Sequence, residues 1–202
     1  MKPFVNESAT AMALDMINVN TDQIFPARFI KKPRGPGYAG YLFHDLRFHD
    51  NGTENLEFAL NQSSYRSARI LVGNTNFGCG SSREGAVYAL QDYGFVAVIA
   101  PSFGDIFTAN CLKNGLLPIV LEEDIVTALR TEIVQSTAPI MTVDLAQQIV
   151  VSPASKRISF DIEPFHKRCI MEGLNEIDLT LQREPEITAF EQGYRAKFNW
   201  LF

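Results

Sequence analysis

The spacing of hydrophobic positions changes near Arg69, and this change predicts the elements of the chain. Downstream, short apolar runs rich in Val and Ile alternate with longer stretches at helical spacing. Continuous apolar runs are typical of buried parallel strands, and the helices between them connect one strand to the next. We therefore predict three strand–helix units: strand 70–72 with helix 82–93, strand 95–100 with helix 103–114, and strand 116–121 with helix 123–135.

Cap residues support these helix ends. Gly94 and Gly115 follow the last helical positions of two predicted helices, where glycine is a favoured C-cap. Ser102 and Glu123 stand where N-caps or first-turn acids are favoured. The C-cap glycines and the N-terminal residues therefore predict helix ends at the same positions as the hydrophobic spacing.

The outer parts of the chain have a different pattern. Apolar runs near the C-terminus follow one another without a helix between them, which predicts added antiparallel strands. We predict strands at 140–143, 148–151 and 158–162, then helices at 164–172 and 187–193, whereas upstream residues 17–30 are mixed and 54–65 resemble a helix. The prediction is one α/β domain spanning residues 1–202.

Residues 31–40, KKPRGPGYAG, form the one marked shift in composition. This segment contains two Pro, three Gly and three cations, and such a sequence disfavours both helix and central strand. With little apolar surface to bury, it is expected to be a mobile loop. We call it the loop segment.

Composition and charge limit the class of protein. The chain has 202 residues, of which 46% are apolar and 20% charged, and a net charge of −5. These values predict a soluble globular protein without the basic field of a nucleic-acid binder. We expect no membrane span, because no apolar stretch approaches the ~20 residues required. We also expect no secretory signal, and therefore a cytoplasmic protein.

The three cysteines, Cys79, Cys111 and Cys169, are an odd number without C-x-x-C spacing. This fits reduced thiols in a cytoplasm better than a disulfide framework. By themselves they look unable to ligate an iron–sulfur cluster, which usually requires three or four closely organised thiolates. We predict no metal site in this chain.

The densest chemical signal is the run from Gly73 to Glu84, GNTNFGCGSSRE, between a predicted strand and a predicted helix. The N–H groups and dipole of a helix start favour an anion there, and Arg83 offers a fork that matches a carboxylate. The run lacks the Lys of a Walker motif and the third Gly of a dinucleotide motif. On residue types alone, a plain Gly-Ser turn that caps a helix is the better interpretation, because such turns are common before helices.

Longer blocks resemble the swivelling domain of the aconitase superfamily and, within it, the family of 3-isopropylmalate dehydratase small subunits. They cover nearly the whole chain: NVNTDQIFPARFIK (18–31), GYLFHDLRF (40–48), GNTNFGCGSSREGAVYAL (73–90), IAPSFGDIFTANCLKNGLLPIVL (99–121) and FDIEPFHKRCIMEGLNEIDLTLQREPEITAFE (160–191). The resemblance implies a swivelling β/β/α fold and a malate-type substrate. It also implies a large-subunit partner that carries a [4Fe–4S] cluster, with no cofactor bound by this chain.

The resemblance also implies residue roles. Ser81 corresponds to the base that removes a proton from the carbon beside a carboxylate, and Arg83 to the cation that binds a carboxylate and stabilises the serine alkoxide. Ser82 would donate to the carboxylate. This is physically consistent, because a serine is a weak base unless cations and N–H donors stabilise its alkoxide. Gly80 and Cys79, just before them, are expected to line the site.

Two positions depart from the family pattern. Asn20 begins the unit that normally is Asp-Thr-Asp, leaving Thr21 and Asp22 as binding candidates, and Gly85 replaces the usual His or Gln after Arg-Glu. A helical Gly costs up to ~1 kcal/mol relative to Ala. Either change is compatible with a paralogue that acts on another malate-type substrate.

Substrate side-chain choice in this family is carried by the stretch after an early Ile-Pro, here Phe25-Pro26. It corresponds to Phe29-Ile30-Lys31-Lys32, where Ile30 suits an isopropyl group and Lys31 equally suits an extra carboxylate. A solvated basic loop is an equally good interpretation.

Other candidates are weaker. The pair His44 and His49 suits solvated or helix-end histidines better than a metal site. Buried cysteines are predicted at 111 and 169, and Phe103 and Phe107 are predicted to pack.

We therefore predict a hydro-lyase subunit for isopropylmalate in leucine biosynthesis. The alternatives are a related hydratase for citraconate/2-methylmalate, maleate or homoaconitate, or a non-catalytic carboxylate-binding domain.

Overall fold

The computed structural model describes residues 1–80 and 84–201, and this part of the chain contains a seven-stranded mixed sheet. Its strands are β1 Asn6–Ala13, β2 Ile70–Val72, β3 Ala97–Ala100, β4 Leu117–Val120, β5 Ile140–Asp144, β6 Ile149–Val151 and β7 Arg157–Ser159. The order across the sheet is β4-β3-β2-β1-β5-β6-β7. The α/β class with added antiparallel strands is confirmed.

Strand β1 joins the parallel and antiparallel parts of the sheet. It runs parallel to β2, with Ala11 opposite Ile70, and antiparallel to β5, with Ser8 opposite Thr142. The hydrophobic pattern missed this central strand, because its sequence NESATAMA is rich in small and polar residues. It is a strand because β5 pairs with residues 6–10 and β2 with residues 11–13, so that the two neighbours together pair its whole length.

The helices in the described residues are α1 Thr21–Ile24, α2 His44–Arg47, α3 Gly85–Tyr93, α4 Asp105–Asn114, α5 Glu123–Gln135, α6 Pro164–Glu172, α7 Glu176–Leu181 and α8 Glu184–Lys197. Helices α5 and α6 have the predicted bounds. Helix α8 is longer than predicted, and α7, which begins with an Asn175 capping box, was not predicted. Gly94 and Gly115 are C-caps, and Glu123 is a first-turn acid, as predicted.

Two predictions of local structure are wrong. Residues 54–65 form turns and a short 3-10 helix, Ala59–Asn61, because Asn61 donates to the carbonyls of Arg47 and Asn55 and so ties this segment to its neighbour. Ser102 is not an N-cap, since its hydroxyl accepts from the backbone N–H of Asn76 instead. Both errors come from polar side chains that bond across loops.

Alternating residues of the parallel strands enter two apolar clusters on opposite faces of the sheet. Leu71 belongs to the cluster under α3 and α4, whereas Ile70 and Val72 belong to the cluster under α5 and α6. Cys111 and Phe107 are buried in the first of these clusters, and Cys169 is buried elsewhere, all as predicted. The two-sided burial explains why these strands are continuously apolar.

The loop segment has neither a helix nor a strand before the short 3-10 helix Tyr38–Tyr41. Tyr38 is buried, which the composition of the segment did not predict. The mobility of the segment stays a prediction. No helix among the described residues is long and apolar enough to cross a membrane.

Candidate active site

The loops that follow β1, β2 and β3 meet at one edge of the sheet. Gly78 donates its N–H to the carbonyl of Val19 at 2.7 Å, and Thr21 donates to the carbonyl of Cys79 at 2.9 Å. On the other side, the N–H of Gly104 donates to the carbonyl of Phe77 at 2.9 Å. The carboxyl ends of parallel strands form the usual ligand crevice of open α/β sheets.

Gly78 makes this close approach possible. Its φ of +72° lies in the left-handed region, and a Cβ there would overlap the ring of Phe107. A side chain at this position would therefore push α4 away from the loop after β2. Phe107 was predicted as packing, and the structure shows that its packing partner is the glycine loop itself.

Several predicted site residues are brought together here. Gly80 lies close to the first loop: a Cβ added at this position would be 3.6 Å from Asn20 Cβ and 4.0 Å from Thr21 Oγ1. Cys79 is half-buried and its Sγ is 3.4 Å from the carbonyl oxygen of Asn18. Asp22 follows the buried Thr21 and is exposed.

The three central candidates, Ser81, Ser82 and Arg83, lie outside the described residues. The structure describes the residues on either side of them, Gly80 and Glu84.

The substrate-choice candidates lie apart from this junction. Ile30, Lys31 and Lys32 are exposed and follow a short 3-10 helix, Ala27–Phe29. Their connection to the junction runs through Phe25, whose N–H donates to the carbonyl of Thr21 at 2.8 Å.

Asn20, the first departure from the family pattern, serves as the N-cap of α1. Its side-chain oxygen accepts from the N–H of Gln23 at 2.8 Å, and Gln23 Oε1 accepts from the N–H of Asn20 at 2.9 Å. An Asp side chain accepts the same bond, so this departure leaves the cap intact.

Gly85, the second departure from the family pattern, packs against the ring of Phe25. A Cβ at this position would lie 2.9 Å from Phe25 Cδ1 and 3.4 Å from the hydroxyl of Tyr38. Phe25 is buried and stacks on Tyr38, with 5.0 Å between the ring centroids. Small size at position 85 is thus matched to a large aromatic residue at position 25.

Glu84 fixes the start of α3 and was missed by sequence reasoning. Its carboxylate accepts from the Tyr88 hydroxyl at 2.6 Å and from Asn114 Nδ2 at 3.3 Å. The Tyr88 hydrogen bond holds the pKa of Glu84 below its usual value and raises the pKa of Tyr88 to about 12. The i, i+4 spacing was the available signal.

A buried arginine, also missed, organises the return of the loop segment. Arg47 donates to the carbonyls of Ala39 and Leu42 at 3.4 and 3.3 Å, and to Asn61 Oδ1 at 3.1 Å. Burial lowers the pKa of Arg47. The GYLFHDLRF block therefore has a structural role beside the site.

The predicted histidine pair forms no metal centre. His44 begins α2 and its Nδ1 lies 3.2 Å from Asp45 Oδ1, in a cluster with Arg28. His49 is exposed. Among the described residues, no group of three or more His, Cys, Asp or Glu could hold a metal ion. Burial raises the pKa of Cys111 and of Cys169, so neither thiol is prepared to act as a thiolate.

The sheet order and the three-loop junction define a class of protein. The family model of the aconitase C-terminal domain matches residues 1–124. A crystal structure of 3-isopropylmalate dehydratase from Methanocaldococcus jannaschii has the same fold, with a TM-score of 0.66 and 24% identity, covering 91% of this chain and 98% of that chain. The chain therefore belongs to the aconitase C-terminal domain family, whose model matches residues 1–124.

Relatives along the full length identify the family within this class. A 3-isopropylmalate dehydratase small subunit of Paramagnetospirillum magneticum is 46% identical over 201 residues, covering 100% of both chains. One from Neisseria meningitidis serogroup C is 46% identical, covering 100% of this chain and 99% of the relative. The family model of the C-terminal domain of these subunits matches residues 176–202. The chain belongs to the 3-isopropylmalate dehydratase small subunit family.

Proposed function

We propose that this chain, together with a large subunit, interconverts 2-isopropylmalate and 3-isopropylmalate through isopropylmaleate in leucine biosynthesis. The observation that carries the proposal is the convergence of three strand-end loops at residues 77–80, directly before Ser81. The relatives at 46% identity, which are named for this activity, support it.

In the proposed reaction, Ser81 Oγ accepts the proton from the carbon beside a substrate carboxylate and returns a proton during rehydration. Arg83 binds a carboxylate and stabilises the serine alkoxide. A preorganised cation is effective here because the charge develops next to it and no solvent has to reorganise.

The remaining predicted residues bind and orient the substrate. Ser82 donates its hydroxyl to a carboxylate, and the backbone at Cys79 and Gly80 offers N–H groups close to it. The contact between Thr21 and Cys79 supports this role, because it brings the first loop within reach of the same carboxylate. Asp22 extends this edge, and 30–32 meet the substrate side chain.

The proposal places the [4Fe–4S] cluster in the large subunit. The described residues of this chain do not fit a metal or a cluster. Bound in the partner, the cluster supplies a Lewis acid for the leaving hydroxyl. The active site is then completed by two chains.

An anaerobic assay with 2-isopropylmalate tests the proposal. The purified chain, incubated with iron and sulfide, should show no turnover by itself and should regain turnover when the large subunit from the same organism is added. Turnover without a partner would contradict the two-subunit assignment. Turnover of 2-methylmalate, but not of 2-isopropylmalate, by the complex would transfer the assignment to a related hydratase.

A further inference from the structure

The loop segment lies along one face of α3. Gly85, Tyr88 and Asp92 are spaced i, i+3 and i+7, which aligns them along the helix. Tyr38 contacts the Gly85 end and Arg34 the Asp92 end. The contact therefore extends for about 10 Å along the helix, given the rise per residue.

Arg34 holds the loop segment to this face in two ways. Its Nε donates to both carboxylate oxygens of Asp92, at 3.1 and 3.0 Å, and its Nη2 donates at 2.6 Å. Its Cζ also lies 4.3 Å from the centroid of the Tyr88 ring. A planar guanidinium can make both contacts at once, and a lysine ammonium cannot reproduce the fork.

Tyr88 carries the contact to the start of the helix. Its ring lies against Arg34, and its hydroxyl donates to Glu84 at 2.6 Å. The same hydrogen bond holds the pKa of Glu84 further below its usual value, so the Tyr88 hydroxyl donates to a charged carboxylate at neutral pH. The contacts of Arg34 thus extend through Tyr88 to Glu84, which directly follows Arg83 in the sequence.

The other end of the substrate-choice stretch is attached to the same helix. Phe25 packs on Gly85, and its ring centroid lies 6.3 Å from that of Phe29, the residue before Ile30. The stretch 30–32 is thus held by the Phe25 contact on one side and by Arg34 on the other.

We infer that Arg34 is a positioning residue for substrate choice, holding the stretch 30–32 in place along helix α3 by its contacts with Tyr88 and Asp92. The inference rests on the proposed function. The substrate side chain then contacts a stretch whose position is fixed. A weaker attachment of this stretch reduces the selectivity between malates that differ in side-chain size.

Matched variants separate this role from the loss of a surface ion pair. Arg34→Met keeps the aliphatic stem and removes the fork, and Tyr88→Phe keeps the ring and removes the bond to Glu84. Arg66→Met is the control, because Arg66 forms an ion pair with Glu54 of similar exposure, 47% and 36% against 43% and 25% for Arg34 and Asp92.

Hydrogen exchange of the intact, isolated chain tests the attachment without reference to activity. Arg34→Met should speed the exchange of the amides of 30–38 and of the first turn of α3 by about tenfold or more, because the local opening becomes easier. Arg66→Met should leave these amides unchanged. Unchanged exchange in Arg34→Met would overturn the inference.

Kinetics of the complex with the large subunit test the consequence for substrate choice. In Arg34→Met the ratio of kcat/KM for 2-isopropylmalate to that for 2-methylmalate should fall about tenfold, within the roughly 10–200-fold range that apolar side-chain recognition spans. Tyr88→Phe should shift it in the same direction. Equal losses on both substrates, or an unchanged ratio, would overturn the role. If the wild-type complex converts neither malate, the proposed function fails, and the exchange experiment alone decides on the attachment.

Discussion

Ser81 is the residue on which the proposed chemistry depends. Ser81→Ala should lower the turnover of the complex by ~10²–10⁴-fold, which is the usual effect of losing a positioned base. Substrate affinity should change little, because one lost neutral hydrogen bond is equivalent to only ~0.5–1.5 kcal/mol. Exchange of the abstracted proton with solvent measures the first effect, and calorimetric titration measures the second.

Arg83→Lys should differ from Ser81→Ala in its effect on substrate affinity. Lysine keeps the charge and loses the bidentate geometry, so both substrate affinity and turnover should fall. If Ser81→Ala retained nearly normal proton exchange, another residue would be the base, and the role implied by the family resemblance would not hold for this chain.

At the scale of elements, the matched sizes of Phe25 and Gly85 determine how α3 packs on the residues before the loop segment. Gly85→Ala gains up to ~1 kcal/mol in helix propensity and loses ~1–3 kcal/mol by overpacking against Phe25. We expect a net fall of about 1 kcal/mol in the free energy of unfolding, because Phe25 is buried and stacked on Tyr38. Urea denaturation measures this change.

A second variant and a control make this prediction specific. Adding Phe25→Ile to Gly85→Ala should restore part of the loss, so the double-mutant cycle should give a coupling of about 1 kcal/mol or more. Gly193→Ala in α8 is the control, since nothing lies within 4 Å of its Cβ position, and it should not lower stability. A stabilising Gly85→Ala would show that the Phe25 ring moves aside at little cost.

At the scale of the whole molecule, the last helix, α8, adds no buried residue to the folded core. Within the helix, Phe190 is 67% exposed, and Trp200, in the short 3-10 helix that follows, is 75% exposed. Deleting residues 184–202 should therefore change the free energy of unfolding by less than about 0.5 kcal/mol, as do most changes of exposed residues. Thermal and urea denaturation of the shortened chain measure it.

A longer deletion is the comparison. Removing residues 164–202 also deletes α6, whose Ile170 is buried in the cluster under the sheet. Loss of such a side chain usually costs ~2–5 kcal/mol, so this shorter chain should be strongly destabilised. If deletion of 184–202 had a similar effect, α8 would belong to the folded core.

Local signals in the sequence determined the strand–helix units. Helix α5 lies at its predicted bounds because its apolar positions, among them Val126, Leu129 and Ile133, alternate at helical spacing and become its buried face. Strand β2 is continuously apolar because clusters cover both of its faces. In such segments, local preference and burial favour the same structure. The long motifs likewise determined the family.

Only the tertiary structure decided the features that depend on distant partners. Strand β1 forms because β2 and β5 supply its hydrogen bonds, although NESATAMA has little strand character. Residues 54–65 follow polar bonds to Arg47 and not their own helical pattern. Arg34 looked like one more cation of a solvated loop, and it acquires a role only because the fold brings Tyr88 and Asp92 beneath it. Periodicity reports which side of an element is buried, whereas the partner of a polar group is set by contacts between residues far apart in the chain.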